Sequence, residues 1–334
     1  MPKVQGFTWT VADHDLLSST DTWGETLCEL GRADPRIVVL TADLADTTKL
    51  YRFKREFPDR CFNVGIAEQN LMAVSAGLAA MGFLPVVCTY ATFATLRAAE
   101  FVRTDIGYGG RNVKIIGTLA GVAFGQGGPT HHSIEDIAMM RAIPGMVVLA
   151  PSDGAEMAEA LRAAVLFEGP VYIRYGRGTE PALRPNAPFS IGPLLELRAG
   201  TDVTVFACGS VVHEALGAAE RAAREGISVS LFAVPTLKPL DEAAILAAAR
   251  NTRRIVTVED HSVIGGLGSA VADVLAKSGL GFAFRKLGHQ DRFLVMGVPE
   301  DLMALGGFDE DAIFEAVCSL RHVEPSPDDD WEDR

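Results

Sequence analysis

The stretch Ile37-Val38-Val39-Leu40-Thr41-Ala42-Asp43-Leu44 decides the fold. Its first four residues are a short continuous apolar run, the pattern of a strand buried on both faces of a parallel sheet. It then turns polar. Open α/β sheets bind ligands outside the carboxyl ends of their strands, so Thr41 to Leu44 stand at a ligand-binding edge. Further strands are expected at Cys61–Val64, Leu84–Cys88, Val113–Ile116, Met146–Ala150 and Val171–Arg174. Helical segments are expected between them. Thr22–Leu30 has Ser19 to Asp21 available as a cap, and Ala67–Met81 is rich in Ala, Leu and Met and closed by Gly82. Phe93–Ile106, Ser133–Ile143 and Gly154–Leu166, behind a Ser152-Asp153 cap, complete the set. This alternation predicts an α/β domain, a parallel sheet with helices on both faces.

Residues 177–200 hold four prolines and read as a linker. A smaller α/β unit follows. Its strands are expected at Val203–Ala207, Val229–Phe232 and Arg254–Val258. Its helices are expected at Val211–Arg224, Leu240–Ala249 and Leu267–Ala276. The division is therefore a lead-in at 1–17, a first domain at 18–176, the linker, a second domain at 201–320, and an acidic, disordered tail at 321–334.

The chain has 334 residues, enough for two cores. Its net charge of -13 argues against nonspecific nucleic-acid binding. Five dispersed cysteines without a CxxC pair signal neither a disulfide scaffold nor a zinc site, and no metal site is expected. The N-terminus lacks a signal-peptide pattern, and no apolar run reaches about 18 residues. A cytoplasmic enzyme is the expectation.

Three features carry chemistry. Gly65-Ile66-Ala67-Glu68-Gln69 puts Glu68 in the first turn of an apolar helix. It reads either as a carboxylate complementing the helix dipole or as one held in a cleft to exchange a proton. Phe124-Gly125-Gln126-Gly127-Gly128-Pro129-Thr130-His131-His132 places two imidazoles after a flexible loop, at the start of the next helix. Either histidine suits acid–base work near neutral pH, or packs against the loop. Tyr90 and Phe93, after a strand, either stack on a planar heterocycle or fill core. Gly265-Gly266-x-Gly268 before a helix weakly resembles an anion-binding turn, and His261 stands close by.

Ala42-Asp43-Leu44, the Glu68 run, Tyr90/Phe93, Gly128-Pro129-Thr130-His131 and Pro151-Ser152-Asp153 together resemble the transketolase family over roughly residues 18–320. The resemblance is to its pyrimidine-binding and C-terminal domains. It implies thiamine diphosphate with Mg²⁺ as cofactor. Glu68 would contact N1′ of the aminopyrimidine and so promote loss of the thiazolium C2 proton. Tyr90 and Phe93 would wall the pyrimidine, with Asp43 and Leu44 beside it, and Leu96 replaces a further aromatic. His131 would face substrate oxygens.

The family's diphosphate domain carries a Gly-Asp-Gly motif, which this sequence lacks. A partner subunit would supply it, within an α2β2 heterotetramer. The substrate positions also depart from sugar-phosphate transketolases. Leu119 replaces a histidine, Gly127 an aspartate and Thr20 an arginine, while Thr47 keeps a hydroxyl and Arg174 matches a phosphate-contacting arginine. Each lost charge-assisted contact is worth about 1.5–3 kcal/mol. The expected activity is transfer of a two-carbon ketol or related acyl unit, from an unusual ketose or a 2-oxo acid, to an aldehyde. The alternatives are the beta subunit of a 2-oxo acid dehydrogenase E1 component, a deoxyxylulose-phosphate synthase relative, and a non-catalytic assembly subunit.

Overall fold

The computed structural model describes residues 19–184 and 187–324. The expected lead-in, the tail from residue 325 and the side chain of Thr20 lie outside the described residues. Strands β1 (Ile37–Thr41), β2 (Cys61–Asn63), β3 (Leu84–Tyr90), β4 (Lys114–Thr118), β5 (Val147–Leu149) and β6 (Val171–Arg174) pair in parallel. β1, β4, β5 and β6 are buried throughout; they are mostly apolar, and the buried charges are Lys114, which donates to the Phe167 and Gly169 carbonyls, and Arg174. The register pairs Thr41 with Cys88, Tyr90 with Thr118 and Gly117 with Arg174, so the carboxyl ends align along one edge.

The second sheet is built from β7 (Leu195–Arg198), β8 (Val203–Cys208), β9 (Val229–Ala233), β11 (Arg254–Ser262) and β12 (Ala283–His289). Its order is β12-β11-β8-β9-β7, with β7 antiparallel to β9. β7 falls inside the stretch expected to be linker. β10 (Thr236–Lys238) leaves the second unit and joins the first sheet antiparallel to β5. Among the described residues the first sheet therefore has seven strands, β10-β5-β6-β4-β3-β1-β2, and is not wholly parallel.

Helices cover both faces of the first sheet. Trp23 and Leu27 of Ser19–Ala33 and Met157 and Leu161 of Gly154–Leu166 pack with Ile37, Val39 and Ile116. On the opposite face Leu71 and Met72 of Glu68–Ala80 pack with Val38, Leu40 and Val87. That second core runs on into Phe206, Leu267 and Val271, so the two units share apolar contacts. Asp153 caps Gly154–Leu166 by accepting the Glu156 N–H at 2.9 Å, and Glu156 accepts the Ser152 N–H at 2.7 Å, a reciprocal box.

Two expected helices differ. The one after the histidines begins at Asp136, because Ser133 is already committed to an antiparallel bridge with Gly121. The one after Tyr90 is a wide π-turn over Phe93–Arg97 and again over Val102–Tyr108, with Ala99–Phe101 α-helical between. Among the described residues no helix is long and apolar enough to cross a membrane.

Candidate active site

Glu68 is the first residue of its helix, and Ala67 before it offers no side-chain cap. Asn63, at the end of β2, sets the approach to it. Its Oδ1 accepts the N–H of Asp43 at 2.9 Å and of Gly65 at 3.0 Å, and its Nδ2 donates to Asp43 Oδ1 at 2.7 Å. The loop after β1 and the turn before Glu68 are thus tied together. Gly65 turns with φ +76 and Asp43 with φ +63, both in the left-handed region. Glu68 itself is 1% exposed. Burying an ionised carboxylate needs a partner, and Arg97 Nη1 donates to its Oε2 at 3.0 Å. The Arg97 guanidinium lies over the Phe93 ring, 4.1 Å from its centroid.

Phe93 leads on to His131. The His131 ring sits edge-on to Phe93 at 5.2 Å, Phe124 at 5.4 Å and Tyr90 at 6.3 Å, centroid to centroid. Thr130 Oγ1 is 2.9 Å from its Nδ1. A Cβ on Gly127 would stand 2.8 Å from His131 Cβ and 2.9 Å from Phe124 Cδ1, so this histidine position needs glycine at 127. His132 points elsewhere. It is buried, its Nε2 faces the Gly125 carbonyl at 3.3 Å, and burial lowers its pKa. Glu68, Tyr90, Phe93 and His131 are therefore joined in one chain of contacts through Arg97 and Phe93, and both histidines precede the helix rather than start it.

Asp43 and Leu44 form the adjoining edge. The Leu44 carbonyl accepts the hydroxyls of Thr47 at 3.1 Å and Thr48 at 2.6 Å, and its N–H donates to Thr41 Oγ1 at 3.2 Å. Thr47, Lys49, Thr118, Leu119 and Arg177 line a small neighbouring cavity. Leu119 has φ +53, a strained conformation for a residue with a Cβ, of the kind that gathers at functional sites. Arg177 is oriented by its Nε, which donates to the Ala123 carbonyl at 2.6 Å. Sequence reasoning missed Arg177; its signal is a second basic residue three positions beyond the end of β6.

Arg174, expected to contact substrate, lies in the interior with its guanidinium engaged by Asp136, Ser133 and Asp260. It is 4% exposed and turned toward the domain junction. Its Nε donates to Asp136 at 3.1 and 3.0 Å, and its Nη2 to the Ser133 carbonyl at 3.4 Å and to the Asp260 carbonyl. The Tyr172 hydroxyl donates to Asp136 at 2.7 Å. Asp260 in turn accepts the Val122 N–H of the glycine-rich loop at 3.1 Å and pairs with His289 at 2.8 Å. The second domain thus holds the loop that carries His131.

The Gly265-Gly266-x-Gly268 turn does bind an anion, but an internal one. Glu259 accepts the N–H of Leu267 at 2.6 Å and of Gly268 at 2.8 Å. His261 is buried beside it. Its Nδ1 donates to the Ser262 carbonyl at 2.7 Å and its Nε2 accepts the Ala138 N–H at 3.3 Å, which assigns the neutral ring.

Comparison with known proteins agrees with this architecture. The model of the transketolase pyrimidine binding domain matches residues 16–181, and that of the transketolase C-terminal domain matches residues 192–313. A putative transketolase C-terminal section of Methanocaldococcus jannaschii is 41% identical over 88% of this chain and 93% of its own length. A 6-deoxy-6-sulfo-D-fructose transketolase subunit of a Clostridium species is 41% identical over 89% and 92%. The solved structure of a split gene transketolase, an inactive beta4 tetramer, superposes with a TM-score of 0.82 at 42% identity, covering 91% of this chain and 97% of that one. The chain belongs to the transketolase family, as a subunit carrying the pyrimidine-binding and C-terminal domains in a split-gene architecture.

Proposed function

We propose that this chain is the pyrimidine-binding subunit of a thiamine diphosphate-dependent transferase that moves a two-carbon ketol or related acyl unit from an anionic ketose to an aldehyde. One observation carries the reading: a carboxyl 1% exposed at a helix start, linked through Arg97 and Phe93 to the aromatic cluster of Tyr90, Phe93 and His131. That donor set fits an aminopyrimidine, which offers a ring nitrogen to a carboxyl and flat faces to aromatic rings. Thiamine diphosphate, when bound, supplies the electron sink that lets a carbon–carbon bond beside a carbonyl break.

This chain's residues do the rest. Glu68 holds a proton at the ring nitrogen. Tyr90 and Phe93 keep the ring flat and exclude water, with Asp43 and Leu44 at its edge. His131, held among Tyr90, Phe93 and Phe124, hydrogen-bonds the donor hydroxyl and moves a proton to or from it. Gly127 and Leu119 leave the pocket without the aspartate and histidine of sugar-phosphate transketolases. Arg177, beside Thr47, takes the role first assigned to Arg174 and meets the substrate's anionic end. Magnesium and diphosphate fall to a partner subunit, in an α2β2 assembly.

The test is exchange of the thiamine C2 proton, followed by NMR in the complex reconstituted with the diphosphate-binding partner. Glu68→Gln is expected to slow exchange by about 10²–10⁴-fold while the subunit stays folded. Exchange at the wild-type rate would remove Glu68 from catalysis and favour an assembly role. Acyl transfer to lipoamide in place of an aldehyde would move the chain to the 2-oxo acid dehydrogenase class.

A further inference from the structure

We infer that Arg97 is the resting counter-ion of Glu68, a positioning residue whose displacement couples cofactor binding to proton uptake. This rests on the reading of Glu68 given above. The ion pair is lopsided. The Glu68 side chain is 2% exposed, whereas Arg97 is 42% exposed. The carboxylate has no route to water, but the guanidinium does. Arg97 also has a second hold, the face of Phe93 at 4.1 Å, which keeps the cation nearby when the carboxylate is released. It stands on the π-turn Phe93–Arg97. Such a wide turn is found often at functional sites.

The two partners demand different protonation states. A guanidinium partner favours the ionised carboxylate, while a ring nitrogen acceptor needs a carboxyl that carries or shares a proton. Exchanging one for the other takes up a proton. The elements packed on the Glu68 helix also bring Glu100, Arg103 and Asp105, and the uncharged Cys88, Tyr90 and Tyr108. The hydrogen-bonded cation at Glu68 is Arg97. With Arg97 in place the subunit keeps a buried carboxylate paired in the absence of cofactor.

The experiment is calorimetric titration of thiamine diphosphate with Mg²⁺ into the reconstituted complex, at pH 8, in buffers of different ionisation enthalpy. The wild type is expected to take up about one proton per site and to bind more weakly as pH rises. Arg97→Met removes the cation that the cofactor would otherwise have to displace. Uptake should fall well below that of the wild type, and affinity should become nearly flat with pH. Arg97→Gln, which keeps a donor but no charge, must behave the same way and serves if the methionine variant does not assemble. Uptake and pH slope equal to wild type in a folded Arg97 variant overturn the proposal. Glu68→Gln separates the two readings: it should abolish uptake, and if it does not, the reading of Glu68 itself fails.

Discussion

The domain junction and the candidate site each hold a buried carboxylate against an arginine, and the two pairs differ in where the cation stands. At the junction Asp136 is 0% and Arg174 4% exposed at the side chain, and both are enclosed by Tyr172, Ser133 and Asp260. At the cleft Glu68 is equally enclosed, but Arg97 reaches water. A pair with both partners inside acts as a fixed joint, because neither ion can leave without an unpaired charge remaining in the interior. A pair with one partner outside is exchangeable. Arg174 is thus held within the junction, while Arg97 pairs with Glu68 from a solvent-exposed position.

The contrast can be broken most directly by exchanging outcomes. Glu68→Gln should lower turnover of the reconstituted complex by about 10²–10⁴-fold and leave the thermal midpoint of the subunit within a few degrees. Arg174→Leu should do the reverse on stability, costing about 3–5 kcal/mol because Asp136 stays buried without its cation. Urea denaturation would read that as a lower midpoint at an unchanged slope. If the Arg174 variant is as stable as wild type and the Glu68 variant unfolds, the assignment of scaffold and site is inverted.

The junction also predicts a pH signature. Burial pushes His261 down to about 4 and Glu259 up to about 7. The unfolded histidine titrates near 6.5, so between 6.5 and 4 the unfolded state binds more protons and stability falls as pH falls. For Glu259 the folded state binds more protons between 4.5 and 7, so stability falls as pH rises. The two slopes oppose each other in the wild type. Glu259→Gln should unmask the histidine, with a loss of about 3 kcal/mol from pH 6.5 to pH 4. A stability curve as flat as wild type would show that His261 is not held neutral.

Much of the first sheet is legible because a strand buried on both faces is mostly apolar, as Ile37 to Leu40 are. β10 is not, because three residues between Pro235 and Pro239 carry no period, and its pairing with β5 is decided by the second domain. Glu68 and His131 stand out because each interrupts an apolar or glycine-rich context with a titratable group. Arg97 is hidden for a geometric reason. Its partner Glu68 arrives on another helix 29 residues earlier in the chain, which no local pattern around Arg97 contains. The choice between Arg174 and Arg177 rests on Asp136 arriving from another element, which no local pattern contains.

The smallest expected effect sharpens the comparison at the loop where the two regions meet. The segment from Gly121 to His131 is held from the junction side by Asp260 at the Val122 N–H and ends in the cleft at His131. Gly127→Ala introduces a Cβ at 2.8 Å from His131 Cβ and 2.9 Å from Phe124 Cδ1, so His131 and Phe124 must shift. Overpacking two half-buried side chains costs roughly 1 kcal/mol, well below the Arg174 change. Proton transfer depends on placement more steeply than stability does, so turnover should drop by about tenfold while the junction stays intact. Hydrogen exchange at Val122 checks the second clause, because protection there reports Asp260. Wild-type turnover in Gly127→Ala would mean that the position of His131 within the aromatic cluster does not limit the reaction. Loss of protection at Val122 would mean that cleft and junction are one cooperative unit rather than two.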